Sequence, residues 1–320
     1  MKHFFLNIFF ICVVSFALAQ QTPQYSQYVL NKYGYNPAAA GTSLKSAFDI
    51  MIGVRRQWID INNAPRTNFA YLNYTFIPKR SYRKWHNIGA YVDQESAGIF
   101  ANNSFYVSYT FHLMLTKKLV ASFGVFAGIR QFAISRSSVD GNDPAVARSV
   151  STPLFVGPDI VPGFRLYNKK FFFDVCIRQI TTPAQSTGTL QIGNKSKLPP
   201  VLYVSFGTRI YLEHGFELVP SFNLHSTFTY IPSVEGSVML KYRNNIAIGA
   251  SLRNNSFIAA IVQVRFLKNV VFGAAYDYSI NQLNIAAPNT FEFMMGFTPV
   301  ETRDKFAKSG NVAKCPALDF

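Results

Sequence analysis

The sequence lacks the long apolar runs of a helical membrane protein, although it is rich in hydrophobic residues. After residue 19 it has no stretch of about 18 apolar residues without a charge, which excludes membrane-spanning helices. Nevertheless, 49% of the residues are hydrophobic and the mean hydropathy is +0.10. Any part of the chain that contacts lipid is therefore expected to be β-strand.

Acidic residues and cysteines are also scarce. Sixteen Asp and Glu stand against 31 Lys and Arg. Because no Asp-x-Asp-x-Asp loop or Cys/His spacing groups them, we predict no metal site and no cofactor. Of the three cysteines, Cys12 lies in the apolar leader, Cys176 in a predicted strand and Cys315 in the C-terminal tail. The tail would have to reach that strand to pair the last two, so no structural disulfide is expected.

The first nineteen residues have the pattern of a secretory signal peptide. Lys2 and His3 form a basic start, residues 4–16 are apolar, and Ala17-Leu18-Ala19 is a small-residue cleavage site. The apolar stretch is shorter than the roughly 20 residues that a spanning helix needs. We therefore predict export, with the mature chain starting near Gln20.

The remaining sequence alternates apolar and polar residues with the period of two that is typical of strands. Ile258, Val262 and Phe266 share one face of a strand, while Gln263 and Arg265 lie on the other. An arginine in the dry core of a soluble sandwich is costly unless it is paired, whereas a barrel interior that holds water or protein removes that cost. The pattern therefore predicts an all-β protein, a transmembrane antiparallel β-barrel of the outer membrane.

The number of strand candidates is about fourteen, an even number as bacterial single-chain barrels require. The candidates are residues 47–58, 67–77, 87–95, 104–115, 119–134, 160–166, 171–178, 201–211, 216–230, 237–242, 246–253, 257–266, 270–278 and 290–297. An even number places both barrel ends on one side, the periplasm. The long connections 135–159 and 181–200 are expected outside the cell.

Four segments follow from this pattern: a signal peptide (1–19), a periplasmic N-terminal segment (20–46), the barrel (47–298) and a periplasmic tail (299–320). Two alternatives stay open for the N-terminal segment, because aromatic anchors favour either a plug at the barrel mouth or a docking strip for a periplasmic partner. The tail has too few apolar residues to fold alone, so it is disordered or becomes ordered on a partner.

Charge and histidine positions argue against two other classes of function. The formal net charge is +15, but the basic residues form no stripe, so no nucleic-acid partner is expected. His112 and His225 lie in predicted strands and could face the lumen, whereas His86 and His214 are expected at the rims. A Ser–His pair stays open, but no Gly-x-Ser-x-Gly, His-Glu-x-x-His or phosphate-binding loop supports it. We predict no enzyme and no catalytic residues.

Several motifs resemble those of one known family. The motifs are Gln24-Tyr25-Ser26-Gln27-Tyr28, Tyr35-Asn36-Pro37-Ala38, Ala40-Gly41, Arg56-Gln57-Trp58 and Asn63-Ala64-Pro65-Arg66-Thr67, with Cys315-Pro316 in the tail. They are similar to the opening, first strand, first turn and C-terminal end of the PorP/SprF family of Bacteroidota, which is associated with type IX secretion and gliding motility. Asn63 stands where that family usually has glycine.

The resemblance implies a non-enzymatic outer-membrane barrel that supports secretion or surface attachment of a partner adhesin with a type IX sorting domain. A periplasmic cell-wall-linked or lipoprotein subunit and outer-membrane lipid are the other expected partners. The residues expected to dock a partner are Tyr25, Tyr28, Tyr35, Asn36, Pro37, Arg56, Trp58, Cys315 and Pro316. A solute channel, porin-like or FadL-like, and a purely structural envelope anchor remain as alternatives.

Overall fold

The computed structural model describes residues 24–42, 46–76, 83–116, 118–134, 154–181, 199–228, 231–243, 245–254, 256–267, 269–285 and 289–299. The predicted signal peptide and the tail from residue 300, with Cys315 and Pro316, lie outside these residues. Within the described part of the chain, no helix has the length and apolar character needed to cross a membrane.

Fifteen strands form one antiparallel sheet. They are β1 Phe48–Arg56, β2 Arg66–Phe76, β3 Lys84–Ala97, β4 Phe100–Thr116, β5 Leu119–Ile134, β6 Leu154–Tyr167, β7 Phe171–Arg178, β8 Val201–Thr208, β9 Ile210–Tyr211, β10 Phe216–Ser226, β11 Ser233–Tyr242, β12 Ile246–Arg253, β13 Phe257–Phe266, β14 Val270–Ser279 and β15 Asn289–Phe297. The two-residue β9 continues β8, since both pair with β10. The wall therefore has fourteen strand positions.

The sheet closes on itself, because β15 pairs with β1 and β10 pairs with β11. Closure leaves the barrel without a free sheet edge along its pairing order. The predicted fourteen-stranded antiparallel barrel is confirmed, and several strands have the predicted bounds. Within the residues that the structure describes, helical structure is confined to α1 Lys32–Tyr35 and three 3-10 helices, Pro37–Ala39, Glu213–Gly215 and Gln282–Ile285.

Several strands are longer than the sequence predicts, and β6 shows the largest difference. The expected strand started at Ile160, but β6 begins at Leu154 and pairs with β5 along its whole length. It pairs with β7 only from Gly163 to Tyr167. The N–H of Ile160 points away from β5, to Thr181 (3.1 Å), and by alternation the same holds for the position of Pro158. Proline is tolerated at this place because it faces the unpaired side of the strand, where a missing N–H costs nothing.

The two faces of the wall differ as the alternation predicts. On β13, Ile258 and Val262 are 47% and 46% exposed and point outward, whereas Gln263 is 2% exposed and points into the lumen. We call the end where β1 begins and β15 ends the terminal rim; there Thr298 donates to Asp49 (3.0 Å). The opposite end, with the long connections, is the loop rim, which faces the cell exterior in outer-membrane barrels.

Candidate functional site

The lumen is occupied by the chain's own residues 24–42, which we call the plug. Its leading stretch, residues 24–28, lies towards the loop rim, because Gln24 accepts a hydrogen bond from Ser233 (3.2 Å), the first residue of β11. Its trailing stretch, residues 36–41, descends towards the terminal rim. The described part of the predicted periplasmic segment therefore lies in the lumen, surrounded by the strands, and not outside the barrel on the periplasmic side.

The leading stretch is held by ionised side chains of the wall. Asp277 and Glu292 each form an ion pair with Arg55, at 2.7 and 2.8 Å. The Ser26 hydroxyl donates to Asp277 (2.6 Å) and accepts from Arg55 (3.0 Å). The backbone N–H groups of Ser26 and Gln27 donate to Glu292 (3.0 and 2.9 Å). The plug thus completes a charge cluster drawn from β1, β14 and β15.

A second arginine extends this cluster to the neighbouring strands. Arg253 donates to the Ser26 hydroxyl (3.3 Å) and forms an ion pair with Glu235 (2.8 Å). All five charged side chains are nearly inaccessible to solvent. Ionised groups are stable in such surroundings only when they are paired and hydrogen-bonded. Ser26 supplies one donor and two acceptor contacts to this cluster.

The trailing stretch is held mostly by hydrogen bonds between neutral groups, with one bond to a charged side chain, Asp174, which is ion-paired with Arg165 (2.9 Å). Asn36 donates to the carbonyl of Phe164 (2.9 Å) and to Asp174 (3.2 Å), and its own oxygen accepts from the Ala38 N–H (2.9 Å). The carbonyl of Pro37 accepts from Thr110 (2.8 Å). Asparagine before proline therefore both caps the short 3-10 helix and ties it to β6 and β7.

Glycines of the wall make room for the plug. A Cβ on Gly163 would collide with the Asn36 side chain, and one on Gly273 with the Gln27 side chain. A Cβ on Gly124 would meet the backbone of Pro37 and Ala38. A glycine inside a strand permits either a bend in the wall or the close approach of another segment. For Gly163 and Gly273, close approach of the plug is the observed reason.

The four tyrosines of the plug reach across the lumen. Tyr28 bonds Ser221 and Ser237 (both 2.9 Å), and Tyr33 bonds Ser108 (2.6 Å) on the opposite wall. Burial raises the pKa of the Tyr28 and Tyr33 phenols far above their usual range, so both stay protonated.

The predicted docking residues fall into three groups. Five lie in the plug: Tyr25, Tyr28, Tyr35, Asn36 and Pro37, each buried against the wall. Arg56 and Trp58 lie together at the loop rim, half-buried. Cys315 and Pro316 lie outside the described residues. In the conformation described, the first group faces the lumen, so docking of a partner on it remains an untested prediction.

The structure does contain a serine and a histidine close to each other, but neither is accessible to solvent. Ser122 and His112 lie 2.5 Å apart, and His112 stacks on Trp85 with the ring planes 5° apart. Both members of the pair are fully buried, so a substrate has no path to them in this conformation. Of the described residues, no three His, Cys, Asp or Glu side chains are grouped as a metal site would require.

The charge cluster is the part of the site that the sequence did not reveal. Alternation placed Arg55 and Glu292 on the inner face, but it gave no reason to pair them with each other or with Ser26. The available signal was the joint occurrence of inward charges near the loop-rim ends of β1, β14 and β15.

The comparisons with known proteins agree with this geometry. A family model for the type IX secretion system membrane protein PorP/SprF matches residues 17–297. The chain belongs to the PorP/SprF family. The search of curated proteins gives no match. This PorP/SprF protein is therefore an outer-membrane barrel associated with type IX secretion.

Two solved structures show the same fold. The ΔS2S3 mutant of the monoaromatic hydrocarbon channel TodX is similar with a TM-score of 0.51 and 9% identity, over 87% of this chain and 95% of that one. The toluene transporter TbuX of Ralstonia pickettii is similar with a TM-score of 0.51 and 11% identity, over 83% of this chain and 92% of that one. At this identity the likeness concerns the fold alone.

Proposed function

We propose that this barrel supports the secretion or surface attachment of one partner adhesin that carries a type IX sorting domain, and that it catalyses no reaction. Membership of the PorP/SprF family supports this role. The observation that carries it is the occupied lumen: the plug bonds β1, β14 and β15 on one side and β4, β6 and β7 on the other. A barrel filled by its own chain is suited to holding a partner by contact.

The proposal extends to both sides of the membrane. The loop rim contacts the adhesin, and the tail with Cys315 and Pro316 becomes ordered on a periplasmic cell-wall-linked or lipoprotein subunit. Export uses the signal peptide of residues 1–19, which N-terminal sequencing of the mature protein tests by finding Gln20 first. Where the adhesin serves gliding, its loss also stops gliding.

Deletion of the gene tests the adhesin role. We expect one large surface adhesin to disappear from the cell surface while other type IX cargo is still exported, and the wild-type gene to restore it. Loss of every cargo, or of none, would contradict the proposal. Cross-linking from the tail and from residues 135–159, followed by mass spectrometry, identifies periplasmic and external partners separately.

A solute channel is the second candidate, since the barrel fold that the chain shares with TodX and TbuX is compatible with it. It requires the plug to leave the lumen or to let solutes past. Conductance of the purified wild-type protein in planar bilayers, in the absence of any partner, would support this function. We expect the wild-type protein to remain closed in that experiment.

A further inference from the structure

Two arginines lie side by side on the lipid-facing side of the wall at the loop rim. Arg56 of β1 and Arg66 of β2 are directly opposite each other in the strand register, so their side chains project from the same face. That face is the outer one, because each arginine alternates with a buried residue, Arg55 and Thr67.

Nothing described compensates this pair of like charges. Arg56 donates to the carbonyls of Arg55 and Thr67 (3.0 and 3.2 Å) and to the side chain of Asn68 (3.0 Å). Arg66 is exposed. Of the described residues, none forms an ion pair with either arginine. Like charges directly opposite each other on a sheet destabilise it unless they are compensated, and a bound anion can accept hydrogen bonds from both arginines.

A row of carboxamides continues the polar surface beside the arginines. Asn68, Gln94, Asn103 and Gln131 are successive cross-strand partners on β2 to β5, all on the outer face. The next row towards the membrane centre contains Val92, Phe105 and Ile129, which are 39%, 48% and 52% exposed. The amide row therefore marks the boundary between the apolar band and the headgroup region of the outer leaflet.

We propose that Arg56 and Arg66, with this amide row, bind the phosphorylated sugar headgroup of an outer-leaflet glycolipid. The guanidinium groups contact a phosphate, the carboxamides bond sugar hydroxyl or amide groups, and the acyl chains lie on the apolar row below. Arginine suits this role because its planar fork donates two parallel hydrogen bonds to a phosphate. The site is independent of the adhesin proposal.

Native mass spectrometry of the purified full-length protein tests the site with three added lipids: phosphorylated lipid A, the same lipid A after dephosphorylation, and phosphatidylglycerol. We expect phosphorylated lipid A to be retained best. In Arg56→Gln/Arg66→Gln, retention falls about tenfold or more, as expected for losing charge-assisted hydrogen bonds. Arg66→Gln alone leaves the hydrogen bonds of Arg56 in place and still lowers retention.

The matched control is Lys169→Gln/Lys170→Gln, which removes two exposed basic residues at the terminal rim. It is expected to retain lipid A as the wild type does. Heat-dependent gel migration establishes that each variant forms the barrel. Equal retention by the arginine variants and the wild type would overturn the proposal, as would an equal loss in the lysine variant. Equal retention of dephosphorylated lipid A or of phosphatidylglycerol would overturn the assignment to a phosphorylated glycolipid.

Discussion

The two ends of the plug are attached to the same wall by different physical means. The leading stretch is bonded to ionised groups: Glu292 accepts two backbone N–H groups, and Ser26 contacts Asp277 and two arginines. The trailing stretch bonds mainly backbone carbonyl and hydroxyl groups, makes one bond to a carboxylate (Asn36 to Asp174), and fits against glycines.

The leading stretch therefore depends on charge balance, and the trailing stretch depends on shape. At the leading stretch, removing one charge leaves its partner buried and unpaired, which costs much more than a neutral hydrogen bond. At the trailing stretch, the close approach of two backbones leaves no room for a side chain, so a small increase in volume displaces the plug. Variants at the two ends should therefore fail in different ways.

The largest expected effect is opening of the lumen by Gly124→Val. Its side chain would need the space that the backbone of Pro37 and Ala38 occupies, so the trailing stretch must leave its seat while the barrel still closes. We expect steady conductance in planar bilayers where the wild type has none. The control is Gly236→Val, because a Cβ at Gly236 meets no atom within 4 Å. If neither variant conducts ions, shape is not what holds the trailing stretch in place.

The second prediction addresses charge. Arg55→Met leaves Asp277 and Glu292 buried without their shared partner, so the free energy of unfolding should fall by about 3–5 kcal/mol. Urea titration of the purified barrel, followed by tryptophan fluorescence, measures the change. Lys169→Met removes an exposed charge and should stay within about 0.5 kcal/mol of the wild type. Equal changes in the two variants would show that the cluster does not stabilise the plug.

Most of the wall could be predicted from the sequence, because alternation is a local property of each strand. The bounds of β5, β7, β12 and β13 agree with the sequence prediction to the residue. β6 is longer than predicted, because its first residues belong to the stretch 135–159 that the sequence assigns to a connection. A proline such as Pro158 is tolerated in a strand where its missing N–H faces an unpaired side, and only the sheet shows which side that is.

The attachment of the plug could not be predicted in the same way. Arg55 and Glu292 are 237 positions apart in sequence, and their pairing depends on the closure of β15 onto β1. Ser26 was part of a recognised motif, yet its function in the motif depends on a cluster that exists only after closure. A strand glycine likewise permits either bending or close approach, and for Gly163 and Gly273 only the position of the plug decides between them.

Substitution of two asparagines of the plug tests the role of hydrogen bonds, with expected changes in the free energy of unfolding of intermediate size. Asn36→Ala removes the bonds to Phe164 and Asp174 and the cap of Ala38, so we expect a loss of about 1–2 kcal/mol. Asn31 is equally buried, but its side-chain amide has no hydrogen-bond partner among the described residues. Asn31→Ala should therefore be nearly neutral in the same urea titration. A larger loss from Asn31→Ala than from Asn36→Ala would contradict the hydrogen-bond account of the trailing stretch.

The smallest expected effect tests whether charge or position makes the leading stretch sensitive. Tyr28 lies in this stretch, but among the described residues its hydroxyl bonds only the neutral Ser221 and Ser237, which also bond each other (2.7 Å). Tyr28→Phe keeps the ring, so the free energy of unfolding should fall by only about 1 kcal/mol. The matched comparison is Tyr33→Phe, at a plug position outside the leading stretch, which loses one bond to Ser108 of β4. Its free energy of unfolding should fall by a similar amount. If Tyr28→Phe costs as much as Arg55→Met, the sensitivity belongs to the position of the leading stretch near the loop rim, and the ionised cluster is not its cause.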